Sequence, residues 1–226
     1  MQKTLYLVGG PMGVGKTATC RLLEQMLPAC AFLDGDWCWE MHPFTVTDET
    51  KAMALDNICH ILNNFLACSA YENIVFCWVM HEQSILDTIL SRLRAEGTRV
   101  VAVSLTCGPA ELERRLQRDI DAGLRAPDVL PRALERLTHY NDTLKTHKLD
   151  TTRLTPLSAA QALPRPPLVE SGGRVKKQKS GFPSERGSGG KPFLSPERKG
   201  FPPEKNIIYS STTPASAARY VSPERT

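Results

Sequence analysis

Several things are missing from this chain of 226 residues, and each absence excludes a class. No window approaches the roughly 18–20 uninterrupted apolar residues that a membrane span needs. The opening run, Met1 to Val8, has neither the long apolar stretch nor the small-residue cleavage site of a secretory leader, so a protein that stays in the cytoplasm is expected. The seven cysteines (Cys20, Cys30, Cys38, Cys59, Cys68, Cys77 and Cys107) are odd in number and include no C-x-x-C pair. A disulfide framework or a zinc site is therefore not expected, and buried free thiols are. The two further elements of a GTPase, D-x-x-G and N-K-x-D, do not occur either.

A strong charge of one sign is also lacking, because the net +4 hides a division. Residues 164–226 carry 12 Lys+Arg and 5 Asp+Glu, whereas residues 1–163 are slightly acidic. All cysteines and tryptophans precede residue 164, and 10 of the 17 prolines lie in residues 164–226. The expected organisation is thus a folded domain over 1–163 and a disordered, Pro/Gly/Ser-rich basic tail over 164–226. The tail carries short echoes such as Ser195-Pro196-Glu197-Arg198 and Ser222-Pro223-Glu224-Arg225, too irregular for a solenoid. Three readings of it stay open: an extension without specific function, a basic tether for RNA or an anionic surface, and a reading frame extended into repetitive sequence. The acidic domain itself argues against nucleic acid as its partner.

What is present begins with alternation. Leu5 to Val8, Ala31 to Leu33, Asn73 to Met80, Val100 to Leu105 and Lys148 to Thr151 read as strands. Helical spacing covers Lys16 to Leu27, Asp48 to Ala70, Glu82 to Glu96, Pro109 to Asp121, Pro131 to Leu144 and Pro156 to Leu163. In the second of these, Leu55, Ile58, Leu62, Phe65 and Leu66 form one stripe, with Thr47 as N-cap. Strands separated by helices of this length imply parallel pairing through right-handed crossovers, hence a three-layer α/β fold.

One segment carries chemistry. Gly10-Pro11-Met12-Gly13-Val14-Gly15-Lys16-Thr17 matches G-x-x-x-x-G-K-[ST] between a strand and a helix. Average residue usage would produce that pattern by chance in under about 1% of chains this long. Glycines let the backbone wrap a phosphate at a helix N-terminus. Gly10 opens this loop, and Gly13, Val14, Gly15, Lys16, Thr17 and Ala18 offer their backbone to a triphosphate. Lys16 adds a positive charge toward the β- and γ-phosphates, and the Thr17 hydroxyl can ligate Mg²⁺.

This segment is the phosphate loop of the P-loop NTPases, and residues 1–163 as a whole resemble the small P-loop kinases. The resemblance rests on Phe32-Leu33-Asp34-Gly35-Asp36 at the end of the second strand, and on Arg114-Arg115-Leu116-Gln117-Arg118 followed by Gly123 and Arg125. Shikimate, gluconate and adenylylsulfate kinases have a similar D-x-D segment, and the pattern is similar to the AAA family ATPase or nucleotide-kinase group. The resemblance implies a P-loop NTPase fold with a mostly parallel five-stranded sheet and a small helical lid. It implies that Asp34 holds Mg²⁺ with Thr17, that Asp36 binds the acceptor hydroxyl and takes its proton, and that Arg118 and Arg125 close over the phosphates of ATP. Arg114 and Arg115 are the next candidates, and Asp150-Thr151-Thr152 resembles the segment lining an adenine pocket. Met80-His81-Glu82 replaces the glycine triplet of shikimate kinases, so shikimate is not the expected acceptor.

Trp37, Trp39, Glu40, His42 and Phe44 could wall an acceptor pocket, and His81 could reach it. The leading expectation is an ATP- and Mg²⁺-dependent kinase, with Lys16, Asp36, Arg118 and Arg125 as its catalytic groups. Its acceptor would be a small metabolite bearing a hydroxyl or a phosphate. A kinase of nucleic-acid 5′-hydroxyls and a nucleotide-binding regulatory protein without transfer chemistry are the alternatives. Sequence leaves the acceptor, the ATP-over-GTP preference and the oligomeric state open.

Overall fold

Strand β1 (Thr4–Gly9) has an apolar residue at every position from Leu5 to Val8, and all four are fully buried in a computed structural model that describes residues 2–165. Such a run needs cover on both faces. The cover is visible in the alternation: Tyr6 and Val8 join one apolar cluster, Leu5 and Leu7 the other. Around β1 lie β2 (Cys30–Asp34), β3 (Asn73–Cys77), β4 (Arg99–Thr106) and β5 (His147–Asp150), in the spatial order β2-β3-β1-β4-β5. Every pairing is parallel, with Tyr6 opposite Val75 on one side and Val101 on the other.

Helices α1 (Lys16–Met26), α4 (Pro109–Asp121), α5 (Val129–Asp142) and α6 (Pro156–Ala162) supply the first cluster through residues such as Leu23, Leu112, Leu137 and Ala160. Helices α2 (Asp48–Ala67) and α3 (Gln83–Arg92) supply the second through Ile58, Leu62, Leu86 and Ile89. The result is the expected three-layer α/β P-loop NTPase architecture, with five parallel strands. None of the described helices is long and apolar enough to cross a membrane. The expectations for the tail lie outside the described residues.

Several boundaries differ from the sequence-based expectation, each for a local reason. Helix α3 ends at Arg92 rather than Glu96 because Asn63 of α2 closes it: its amide donates to Arg92 O at 3.0 Å and accepts from Arg94 N–H at 2.8 Å. Strand β3 ends at Cys77 rather than Met80, and Trp78 leaves the ladder after one bond from its N–H to Val8 O. A 3₁₀ turn, Gly35–Trp39, follows β2 where no regular element was expected. Helix α4 ends as expected: Gly123 adopts φ 70°, and the Gly123 and Leu124 N–H groups bond back to Ile120 O and Asp119 O. Thr47 caps α2 as expected, with Thr50 returning its hydroxyl to the Thr47 N–H at 2.9 Å.

Candidate functional site

The carboxyl ends of β1, β2 and β3 meet at one edge of the sheet, Val8 and Asp34 both being in register with Cys77. In an open parallel sheet this edge, where the strand order reverses, is where ligands bind. The loop after β1 turns at three glycines with positive φ: Gly10, Gly13 and Gly15. Two of them are crowded. A Cβ on Gly13 would stand 2.6 Å from Leu116, and one on Gly10 would stand 2.8 Å from Leu105 O. Gly15 differs, because a Cβ there would meet nothing within 4 Å. The loop is therefore packed from behind and open in front. It delivers the N-terminus of α1, where the N–H groups of Lys16, Thr17 and Ala18 have no carbonyl one turn back inside the helix. Backbone donors, an open concave face and the positive end of a helix are the parts of a phosphate cradle.

Lys16 bends over this loop, and its Nζ donates to Pro11 O at 3.0 Å. Burial lowers the pKa of its ammonium, while the nearby Asp36 and Asp34 charges act in the opposite direction. The buried Asp34 accepts from the Thr17 hydroxyl at 2.7 Å through one oxygen and from the Asp36 N–H at 3.1 Å through the other. These two side chains, Thr17 and Asp34, are the ones that could hold Mg²⁺. No group of three or more His, Cys, Asp or Glu side chains is gathered for a metal among the described residues. A hydroxyl beside one carboxylate suits an ion that keeps most of its shell as water and phosphate oxygen. The residues present fit it.

Asp36 faces the other way, into a cavity of about 570 Å³. Crowding by protein on its remaining sides raises its pKa above the usual carboxylate range, and the Asp34 charge adds to that. Lys16, the Trp78 indole and Arg125 pull it back down. The 3₁₀ turn explains the view. With three residues per turn, Asp36 and Trp39 share a face, and both line the cavity. Trp37 falls on a different face. It is half-exposed, with its ring edge-on to Phe32 at 5.4 Å and the Arg21 guanidinium over it at 5.0 Å. Of the expected pocket residues, Trp39, Phe44 and His81 line the cavity, whereas Trp37, Glu40 and His42 do not.

The arginines divide. Arg125 lines the cavity, its Nε donating to Asp119 at 3.1 Å. Arg118 stands outside it, with a side chain 70% exposed and directed to Asp119 at 3.4 Å. Arg114 is also exposed, paired with Glu111. Arg115 is nearly covered and works as a strut: it donates to Val14 O at 3.2 Å, to Thr151 O at 2.7 Å and to Glu111 at 2.7 Å. It thereby ties α4 and the segment after β5 to the phosphate loop. That segment is anchored further by Thr152, whose hydroxyl accepts from Gly108 N–H at 2.8 Å.

Among the cavity residues not expected from sequence are Trp78, Arg132 and Arg136. Trp78 reads as the middle of a strand until β3 is seen to stop one residue before it. Arg132 and Arg136 are spaced i, i+4 on α5, a signal for one shared helix face that does not say what the face meets.

Comparison with known proteins agrees with this geometry. An AAA domain family model matches residues 7–123, just over half of the chain. No curated protein matches it. Among solved structures, a tunicamycin resistance protein from Deinococcus radiodurans aligns with a TM-score of 0.53 at 19% identity, over 71% of this chain and 92% of that one. A gluconokinase from Sinorhizobium meliloti 1021 aligns with a TM-score of 0.51 at 19% identity, over 70% and 89%. At such identities the likeness is one of fold. With the phosphate loop, the strand order and the family match in agreement, the chain belongs to the AAA domain family and is built on the P-loop NTPase fold.

Proposed function

We propose that this protein is an ATP- and Mg²⁺-dependent phosphotransferase that moves the γ-phosphoryl group to a hydroxyl of a small molecule held in the cavity. The observation that carries this reading is the division of labour between the two carboxylates. Asp34 is turned to Thr17 at the phosphate loop, and Asp36, two residues on, faces the cavity with a raised pKa. A group that holds only nucleotide has no use for the second carboxylate in that position.

In this reading the loop backbone from Gly13 to Ala18 and the Lys16 ammonium hold the triphosphate. Thr17 and Asp34 hold Mg²⁺, which neutralises charge on the phosphate oxygens. Asp36 accepts a hydrogen bond from the acceptor hydroxyl and takes its proton as the oxygen bonds to the γ-phosphorus. The bond from that phosphorus to the bridging oxygen breaks, and ADP leaves. Arg125, at the junction of loop and cavity, is placed to steady the transferring group. Arg118 would join it only by swinging in from solvent.

The test is ADP release from Mg·ATP by the full chain, with and without pooled metabolites. Acceptor-stimulated release is expected to vanish in Lys16→Ala. Asp36→Asn should abolish transfer and leave ATP affinity within about threefold, since the lost contact is to the acceptor rather than the nucleotide. ATP binding with no stimulated release by any fraction of the pool would refute the proposal.

A further inference from the structure

The cavity in front of Asp36 has its own chemistry. Much of its wall is apolar: Trp39, Phe44, Leu55, Trp78 and Ile85 offer rings and branched aliphatic carbons, while Lys51, His81 and Glu82 add polar groups beside them. Trp39 stands edge-on to Trp78 at 6.3 Å and tilted to Phe44 at 5.4 Å, so the three aromatics form a continuous surface. Polar edges of a polyhydroxylated acceptor or a nucleobase that lie on the apolar side chains would lack partners, at a cost of about 1–3 kcal/mol for each group left unpaired. An apolar ring system loses nothing there and gains by leaving water.

Three arginines also line the cavity, and their pairing separates them. Arg125 is matched by Asp119 at 3.1 Å, and Arg132 by Asp128 at 2.7 Å. Arg136, one turn beyond Arg132 on α5 and half-buried, has no carboxylate within ion-pair distance among the described residues. Its charge is felt at His81 and Tyr140 and is not cancelled by either. A half-buried cation at the edge of an apolar cavity is a place where an anion is bound strongly, because little water competes for it.

Resting on the phosphotransferase reading above, we infer that the acceptor is an amphiphilic anion: an apolar ring body with one carboxylate or similar acidic group, carrying the hydroxyl that is phosphorylated. The ring lies on Trp39, Phe44 and Trp78, the acidic group pairs with Arg136, and the hydroxyl is presented to Asp36. Arg136 is then the residue that decides between charged and neutral acceptors, and the aromatic wall decides against sugar acids and nucleotides.

The experiment is calorimetric titration of the full chain, saturated with Mg²⁺ and β,γ-methylene-ATP, using 6-(hydroxymethyl)-2-naphthoate, its neutral amide, gluconate and adenosine 5′-monophosphate as probes. The naphthoate is expected to bind at least about tenfold more tightly than the amide. Gluconate and the nucleotide should bind more weakly than either. Arg136→Met should bring naphthoate and amide to equal affinity, whereas Arg132→Met, whose charge is already matched by Asp128, should keep the preference. Equal affinity of naphthoate and amide for the unaltered protein, no binding of the naphthoate, or tighter binding of gluconate or the nucleotide would each overturn the inference. The phosphotransferase reading is judged separately in the same cell: it falls if β,γ-methylene-ATP does not bind, whatever the other probes do.

Discussion

Between Asp34 and Asp36, Gly35 touches the wall of the cavity directly. A Cβ there would lie 2.5 Å from Trp78 Cγ, and the indole cannot retreat without leaving Asp36. Gly35→Ala should therefore cost about 1–3 kcal/mol in a urea melt, as overpacking does, and should impair transfer more than ATP binding. A variant with unchanged stability and turnover would show that the turn yields freely. At His81 the prediction concerns charge. Burial is the main cause that lowers its pKa below 6.5, the Arg136 charge the next, and His139 adds a little, while Glu82 and a bond to the Val79 backbone oppose them. The folded protein thus favours neutral imidazole. The stability this contributes is complete above about pH 6.5 and is lost as pH falls toward the folded-state value. Arg136→Met should raise the His81 midpoint in a histidine NMR titration, and an unmoved midpoint would put that guanidinium elsewhere. At this scale the phosphate loop and the Asp34–Asp36 pair are legible in sequence because their chemistry is local. Trp78 and Arg136 are not legible, because they matter only through what they face.

At the scale of elements, α4 shows how one helix carries two kinds of arginine. Arg115 is 15% exposed and reaches across to Val14 and Thr151, whereas Arg114 is 64% exposed and reaches only Glu111. Arg115→Met should destabilise the fold by about 2 kcal/mol, the scale of lost hydrogen bonds to a charged group, and weaken ATP binding by loosening the loop. Arg114→Met should stay within about 0.5 kcal/mol, as exposed pairs do. Equal effects in paired denaturation curves would contradict the strut. Bonds from Arg114 and Arg115 pull Glu111 down from 4.5 to about 2, so the stability linked to that carboxylate is complete above about pH 4.5 and is lost progressively as pH falls from there toward 2. Most helix and strand identities follow from periodicity. Their ends do not: α3 stops where Asn63 of another helix captures its last carbonyl, and β3 stops where its chain turns into the crevice.

For the molecule as a whole, one sheet serves two apolar clusters, one on each face. Leu23→Ala on the α1 face and Ile58→Ala on the α2 face should each cost about 2–5 kcal/mol, since both side chains are fully buried. Because the clusters share β1, both substitutions should shift a single cooperative transition, and separate transitions in the double variant would mean that the faces melt independently. The sequence by itself determined the fold class, the phosphate loop and the presence of two acidic residues at the end of the second strand. Continuous apolar strands demand cover on both faces, and a glycine-rich turn before a helix has few uses other than binding an anion. Only the tertiary structure decided which residues meet at the cavity beside Asp36. The 3₁₀ turn sends Trp39 in and Trp37 out, the early end of β3 frees Trp78, and the packing of α5 brings an unmatched guanidinium to the same space. Those choices depend on where elements distant in the chain come together, and no local pattern of residues encodes that distance.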